Sequence, residues 1–374
     1  MTQTALADLF LLCIGAAFAL LYQWLFRILP RARWQFIAVL PLGRDAQGHW
    51  RGRNLTFYGF FTACAGAIAV ATFILLTSAV GADLGLTLLL TVVVLALCLP
   101  AAKLIAVVVE KNRHGFTVGG ASFVGIIVAP ILLWWLDTRA QAWFGTSLPV
   151  LPMLAAMAIA YVIGEGVGRL ACISFGCCYG KAVDESPATL RALAQRYAQV
   201  FEGETKKIAF AGGMEGRAVI PIQAITCSLY TLLAIACAIL FFHQQFELAF
   251  GIALVGSQLW RLYSETLRAD YRGGSKQISA YQVMALIACG WGIGITLALP
   301  MHTGMAADLG AGLAGLWHPG VLIALQGIWA VMFVFSGSST ITTSTLRFGL
   351  APDWRCQAGC EHPPASQPLA PPRY

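Results

Sequence analysis

Apolar residues run along this chain in long uninterrupted stretches, broken by short polar loops and by one polar insertion. Stretches of about 20 such residues cross a bilayer core as helix. The pattern predicts spans at 5–26, 55–79, 83–109, 118–136, 149–166, 218–242, 247–264, 278–299 and 319–336. In lipid each backbone polar group needs a partner within the chain, which helices provide. Alternation of period two, the mark of a membrane β-barrel, is weak. The expected fold is therefore all-α, a polytopic membrane helical bundle. No basic n-region or cleavage site flanks residues 5–26, so this first span is expected to be retained. No internal repeat is evident.

Composition sharpens this picture. Hydrophobic residues make up 58% of the 374 and charged residues 11%, less than half the roughly 25% usual for soluble domains. The net charge of +7 comes without a nucleic-acid-binding motif, so anionic headgroups are the expected partner and nucleic acid is not. If spans alternate in direction, one side carries 27–54, 110–117, 181–217, 265–277 and the tail. The opposite loops hold a single basic residue, Arg139. Residues 27–54 contain six arginines (27, 31, 33, 44, 51 and 53) with Trp34 and Trp50 as interface anchors, and 34–42 is an apolar patch suited to the membrane surface. The insertion 181–217 reads as an extramembrane cap holding a short helix over 187–202. The Pro-rich tail from Arg347 reads as disordered.

Charges inside the apolar slab are costly and point to function. Arg169 lies in Gly168–Gly180, GRLACISFGCCYG, expected to join a span ending near Gly166 to the cap. Glu165 precedes it by four residues, one helical turn. Arg261, Glu265 and Arg268 follow the spacing i, i+4, i+7, which places them on one helix face. Two arginines around a carboxylate leave one positive charge, able to grip a phosphate through forked hydrogen bonds. A structural ion-pair ladder is the alternative. Lys103 lies deep in an apolar run and needs a polar partner. Cys13, Cys64, Cys98, Cys227, Cys237 and Cys289 sit in apolar runs and read as small hydrophobes. Cys172, Cys177 and Cys178 read either as small packing residues or as a candidate redox group beside Arg169. Their C-x4-C-C spacing is not a usual zinc pattern. Cys356, Cys360 and His362 in the tail are a weaker metal hint.

These residues resemble the bacterial prolipoprotein diacylglyceryl transferase family. GRLACISFGCCYG is similar to its Gly-Arg-x-Gly-Asn-Phe-x-Asn-Gly-Glu signature, and Arg261-x-x-x-Glu265-x-x-Arg268 to its Arg-Phe-x-x-Glu-x-x-Arg helix. Tyr58-Gly59, Gly119-Gly120-x-Ser122-Phe123, Pro221-x-Gln223 and Ile278-Ser279-x-x-Gln282 match further motifs in the same order. The resemblance covers about 55–300. It implies seven core spans at 55–300, one extra N-terminal span with its basic interfacial loop in 1–54, one extra C-terminal span in 301–346, and the tail 347–374. It implies transfer of diacylglycerol from phosphatidylglycerol, or another anionic glycerophospholipid, to the cysteine thiol of a prolipoprotein signal peptide, at the bacterial inner membrane. No cofactor or metal is required.

Carried over by position, Arg261, Glu265 and Tyr58 are implied as catalytic, with Glu265 fixing Arg261. Arg169, Gln223, Gly180, Arg268, Gly119 and Gly120 are implied as substrate-binding. The chain departs from the family where Val124 stands at a histidine, Cys172 at an asparagine and Cys177 at a glutamate. His114 is the nearest substitute base, and Lys103 stands for the third span's arginine. Two other functions stay open: a relative whose lipid pocket serves a lost or changed reaction, and a membrane thiol-redox protein using the cysteine cluster. The family's outer-face topology is adopted, although the positive-inside rule places the same loops in the cytoplasm.

Overall fold

The central helix is Val150–Phe175, and it owes that place to its small residues. A computed structural model describes residues 2–33, 35–46, 48, 50–109, 117–186, 191, 196–270, 278–299, 305–337 and 347–348. The helices are α1 (Gln3–Ile28), α2 (Phe57–Ala79), α3 (Leu84–Val109), α4 (Val118–Phe144), α5 (Val150–Phe175), the single turn α6 (Lys207–Phe210), α7 (Ile222–Phe242), α8 (Phe246–Thr266), α9 (Ala280–Ala298), α10 (Leu309–Leu316) and α11 (Pro319–Gly337). Among the described residues, eight of these are long and apolar enough to cross a membrane. The remaining expected span, α8, has 21 residues but carries Glu247, Arg261 and Glu265, which lower its hydropathy.

Small side chains let helix backbones approach closely in a bilayer, where packing rather than water exclusion drives association. On α5, Gly164 faces Ala69 of α2, and a Cβ there would stand 2.8 Å from the alanine's Cβ. Gly166 faces α7, where a Cβ would meet Tyr230 at 3.0 Å and the Cys227 carbonyl at 3.3 Å. As a result α5 is the most buried span, with α2, α7 and α8 around it. Helices α3, α4 and α9 complete the bundle. α1 docks on α7 through Tyr22–Thr231 (2.7 Å) and Asp8–His243 (3.0 Å). α11 lies against α2, where Gly59 clears the backbone at Gly337.

Three expectations change. First, α5 does not stop near Gly166. It continues to Phe175, so Arg169 and Cys172 are helical. Alanine and leucine at 170–171 favour helix there, and the stop comes at Gly176, whose φ of +70° suits glycine. Second, the basic loop is not merely an interfacial segment. Phe36–Arg44 (β1) and Trp50–Thr56 (β2) pair as an antiparallel hairpin, and Arg347–Phe348 (β5) adds to β2, where the tail was expected to be irregular. The apolar run of β1 and the arginines of β2 read as an interfacial segment, and backbone pairing makes them strands. Third, the helix expected over 187–202 ends before Gln199–Val200 (β3), which pairs with Ala218–Val219 (β4). Residues 187–190 and 192–195 of that helix, and 349–374 of the tail with Cys356, Cys360 and His362, lie outside the described residues.

The cap is fastened from below by Lys206. This lysine is fully buried, and its ammonium donates to the carbonyls of Leu29 at the end of α1 (3.0 Å) and Ser174 at the end of α5 (2.7 Å). Burial pulls its pKa down from 10.5 to about 8. Between those values the unfolded chain binds more protons than the folded one, so this group makes stability rise with pH across that window and contributes no slope below it. Replacing Lys206 by Met is expected to abolish the slope between pH 8 and 10.5. It also removes two charge-assisted bonds, each worth about 1.5–3 kcal/mol. Thermal unfolding in detergent from pH 8 to 10.5 reads the slope, and limited proteolysis of the cap below pH 8, where the folded lysine is charged, reads the lost bonds.

Candidate functional site

The helix ends that carry the sequence motifs all reach one end of the bundle. There the C-termini of α5 and α8 meet the N-termini of α2, α4, α7 and α9. Between them lies a cavity of about 600 Å³, within the range typical for sites that enclose a small-molecule ligand. Its deeper wall is apolar, with Val70, Phe73, Leu95, Leu154, Phe250 and Leu254. The other end carries Tyr58, Ser122, Glu165, Arg169, Gln223, Arg261, Glu265, Arg268, Asp270 and the three cysteines.

The charge arrangement is built on Glu165. Its carboxylate is 8% exposed as a residue and sits between two guanidinium groups. Arg169, one turn on, pairs with it directly. Arg261 of α8 reaches both carboxylate oxygens, at 3.3 and 3.4 Å, and also donates to Ser122 of α4 at 3.3 Å. The carboxylate that fixes Arg261 is therefore Glu165 on a neighbouring helix, where the sequence pointed to Glu265. Arg268 lies just past the end of α8. It forms a forked pair with Asp270 (2.6 and 2.9 Å) and stands 3.8 Å from Glu265. Three arginines meet three carboxylates overall, while the pair around Glu165 keeps one net positive charge.

The glycines and the amide explain how this fits. A side chain at Gly119 would collide with the Arg261 guanidinium, so Gly119 is the space into which Arg261 folds. Tyr281, capped within the Ser279–Gln282 box of α9, donates to Thr117 at 2.8 Å and holds the start of α4 beside it. Gln223 is buried and donates to the Cys177 carbonyl at 2.9 Å. Its other amide atom, Oε1, and the Nε of Arg169 are buried without a hydrogen-bond partner. Buried donors and acceptors left in this way are paired only when a ligand or water enters. Tyr58 packs edge-on against Phe175, ring centres 5.8 Å apart.

Of the residues the sequence singled out, Tyr58, Gly119, Arg169, Gln223, Arg261, Glu265, Arg268 and all three cysteines share the cavity wall. Gly120 instead packs on Ile105 of α3, and Gly180 clears the Ile220 backbone while pairing with Arg268 as an antiparallel bridge. Lys103 lies exposed on α3 and outside the cavity. Val124 borders a small apolar void with Val94, Leu97 and Cys98. His114, with Lys111 and Arg113, lies outside the described residues. Among the described residues no histidine lines the cavity. Sequence reasoning passed over Asp270 and Tyr161, and named Ser122 only as part of the Gly119-Gly120-x-Ser122-Phe123 motif. Asp270 follows Arg268 by two residues, which was its available signal. Tyr161 accepts from Gln258 at 3.0 Å beside Glu165, and its only signal was one helical turn of separation from Glu165.

Fold and site together define a polytopic helical membrane protein with an amphipathic cavity, apolar at depth and arginine-rich at one end. The family model for prolipoprotein diacylglyceryl transferase matches residues 49–298. The chain belongs to that family, whose activity is a transferase step in lipoprotein biosynthesis. Neither curated proteins nor solved structures give a significant match.

The Glu165 contacts make two expectations. Replacing Glu165 by Gln leaves two buried guanidinium groups facing each other, and removal of one partner of such a pair costs about 3–5 kcal/mol. A lowered unfolding midpoint in detergent checks this. Replacing Gly119 by Ala displaces the Arg261 guanidinium from Glu165 and Ser122, so binding of anionic lipid should fall and the unfolding midpoint should drop, though by less than for Glu165→Gln because Arg169 still pairs with the carboxylate.

Proposed function

We propose that the chain transfers the diacylglyceryl group of phosphatidylglycerol to the cysteine thiol of a prolipoprotein signal peptide, at the bacterial inner membrane. The observation that carries this is the paired ends of the cavity. An apolar chamber suits acyl chains, and the unpaired Nε of Arg169 beside the doubly held Glu165 suits a phosphodiester. A multi-span bundle with a cavity inside it also suits a substrate that never leaves the bilayer.

In this reading a thiolate attacks the glycerol carbon that bears the phosphate ester. The carbon–sulfur bond forms, the carbon–oxygen bond breaks, and the bonding pair leaves with glycerol phosphate. Arg169 and Arg261 bind the phosphate and take up the charge that grows on its oxygen, which is where fixed donors lower a barrier most. Glu165 holds both arginines at fixed orientation, a positioning role. Gln223, with its free carbonyl oxygen, and Tyr58 orient the hydroxyl groups of the headgroup. Arg268, held by Asp270, marks the rim where the leaving glycerol phosphate departs. The thiol's proton needs an acceptor. With Val124 off the cavity, Glu265 is the carboxylate we assign to it, on the same wall and beside Arg268. Gly119 serves by making room for Arg261, and Gly120 and Gly180 by packing.

The decisive experiment incubates the purified protein with radiolabelled phosphatidylglycerol and a lipobox peptide. Label moving to the peptide thiol is expected. Arg169→Ala should lower kcat/KM by at least about 100-fold, the size expected for loss of one donor to a developing oxyanion. Glu265→Gln should lower kcat with lipid affinity retained. No transfer by the wild type, under conditions where phosphatidylglycerol binds, would overturn the reaction and leave a lipid pocket with another use.

A further inference from the structure

The reaction above uses none of the three cysteines, although they stand on the same cavity wall. Their arrangement is a product of how α5 ends. Gly176 breaks the helix in the left-handed conformation, and the Cys172 carbonyl accepts from the amides of Gly176 (2.8 Å) and Cys177 (3.1 Å). Cys178 then adopts a φ of +59°. For a residue with a side chain that conformation costs about 1–3 kcal/mol and persists where surrounding structure enforces it. Here the Gln223 amide holds the Cys177 carbonyl. The turn folds Cys177 and Cys178 back over Cys172, and the three sulfur atoms lie within 4.8 Å of one another, with Cys172 and Cys178 at 3.8 Å.

That triangle has the size of a coordination shell. A cation about 2.3 Å from each of three sulfurs in a trigonal plane sets them about 4 Å apart. We propose that Cys172, Cys177 and Cys178 bind one soft monovalent cation, of which Cu(I) is the type, through three thiolates. Zinc in structural sites takes four ligands. This cluster has three members among the described residues, all sulfur, a set that favours a soft ion content with low coordination. Three thiolates with one positive ion carry two negative charges. Arg169 acts electrostatically on Cys172 and Cys178, and Arg268 on Cys178, so cationic groups face that excess. Cys172 and Cys178 are half-buried on the cavity wall, which gives an ion a path to the sulfurs.

The site shares its cavity with the transfer chemistry, but its test reads metal binding alone and does not depend on the reaction. Full-length reduced protein in detergent, without oxygen, is titrated with Cu(I) in competition with bicinchoninate, whose copper complex is coloured. One equivalent per chain should leave the chelator, with release of about three protons per ion. X-ray absorption should show a shell of sulfur alone. Cys172→Ser, Cys177→Ser and Cys178→Ser should each weaken binding at least 100-fold, while Cys13→Ser, on the lipid-facing surface, should leave it unchanged. The proposal is overturned if the wild type surrenders copper as readily as the triple serine variant, if the single variants bind like wild type, or if the shell contains nitrogen or oxygen. Because the wild-type stoichiometry and shell are measured directly, misfolding of a variant does not protect the idea.

Discussion

A carboxylate held between two arginines in the interior of a membrane bundle is the constraint on which this structure turns. A single ion there would cost several kcal/mol in lost hydration, and Glu165 is tolerated only because Arg169 and Arg261 arrive from two directions. Each arrival makes demands on residues that carry no charge. Arg261 needs the bare backbone of Gly119 to lie against and Ser122 to accept its spare donor. Arg169 needs α5 to remain helical beyond Gly166, so that one turn separates it from Glu165. The close packing of α5 on α2 and α7, through Gly164 and Gly166, then fixes the carboxylate at the depth where both guanidinium groups can reach it.

This arrangement also explains why the second cluster is kept apart from the first. Arg268 is satisfied by Asp270 and lies beside Glu265, outside the last turn of α8. Arg169 retains one unpartnered donor, and Gln223 one unpartnered acceptor. A site meant only for stability would close such atoms, since each open one costs about 1–3 kcal/mol when buried. Keeping a donor and an acceptor open beside a net positive charge is what an anionic, hydroxyl-bearing guest requires.

Much of the bundle was legible in the sequence because long apolar runs have few other uses. Eight spans fall where the runs are, and α8 could be placed too, although its charges lower its hydropathy. The chemistry-bearing residues were legible because arginine and glutamate are rare inside such runs. What could not be read was which of them meet. Spacing along α8 joined Arg261 to Glu265, yet the contact that matters crosses to Glu165 on α5, and one chain's periodicity says nothing of a neighbouring helix. The hairpin of β1 and β2 was hidden for a related reason. Its first strand lies in the apolar patch read as a membrane-surface segment and its second carries two arginines, and their stability comes from pairing with each other and with Arg347–Phe348, a residue distance of about three hundred positions that local propensity does not see.

The C-terminal helix contributes to the cavity from beyond the matched range. α11 lies outside the range matched by the family model, yet Met332, Phe335 and Ser336 form part of the cavity wall. Its fit on α2 is exacting: Gly59 faces Gly337, and Gly66 leaves the space that the Met332 thioether occupies. Methionine is unbranched and polarizable, and it adapts to irregular apolar surface. α11 thus adds wall to a cavity whose arginines, Glu165 and remaining apolar lining come from helices within the family range.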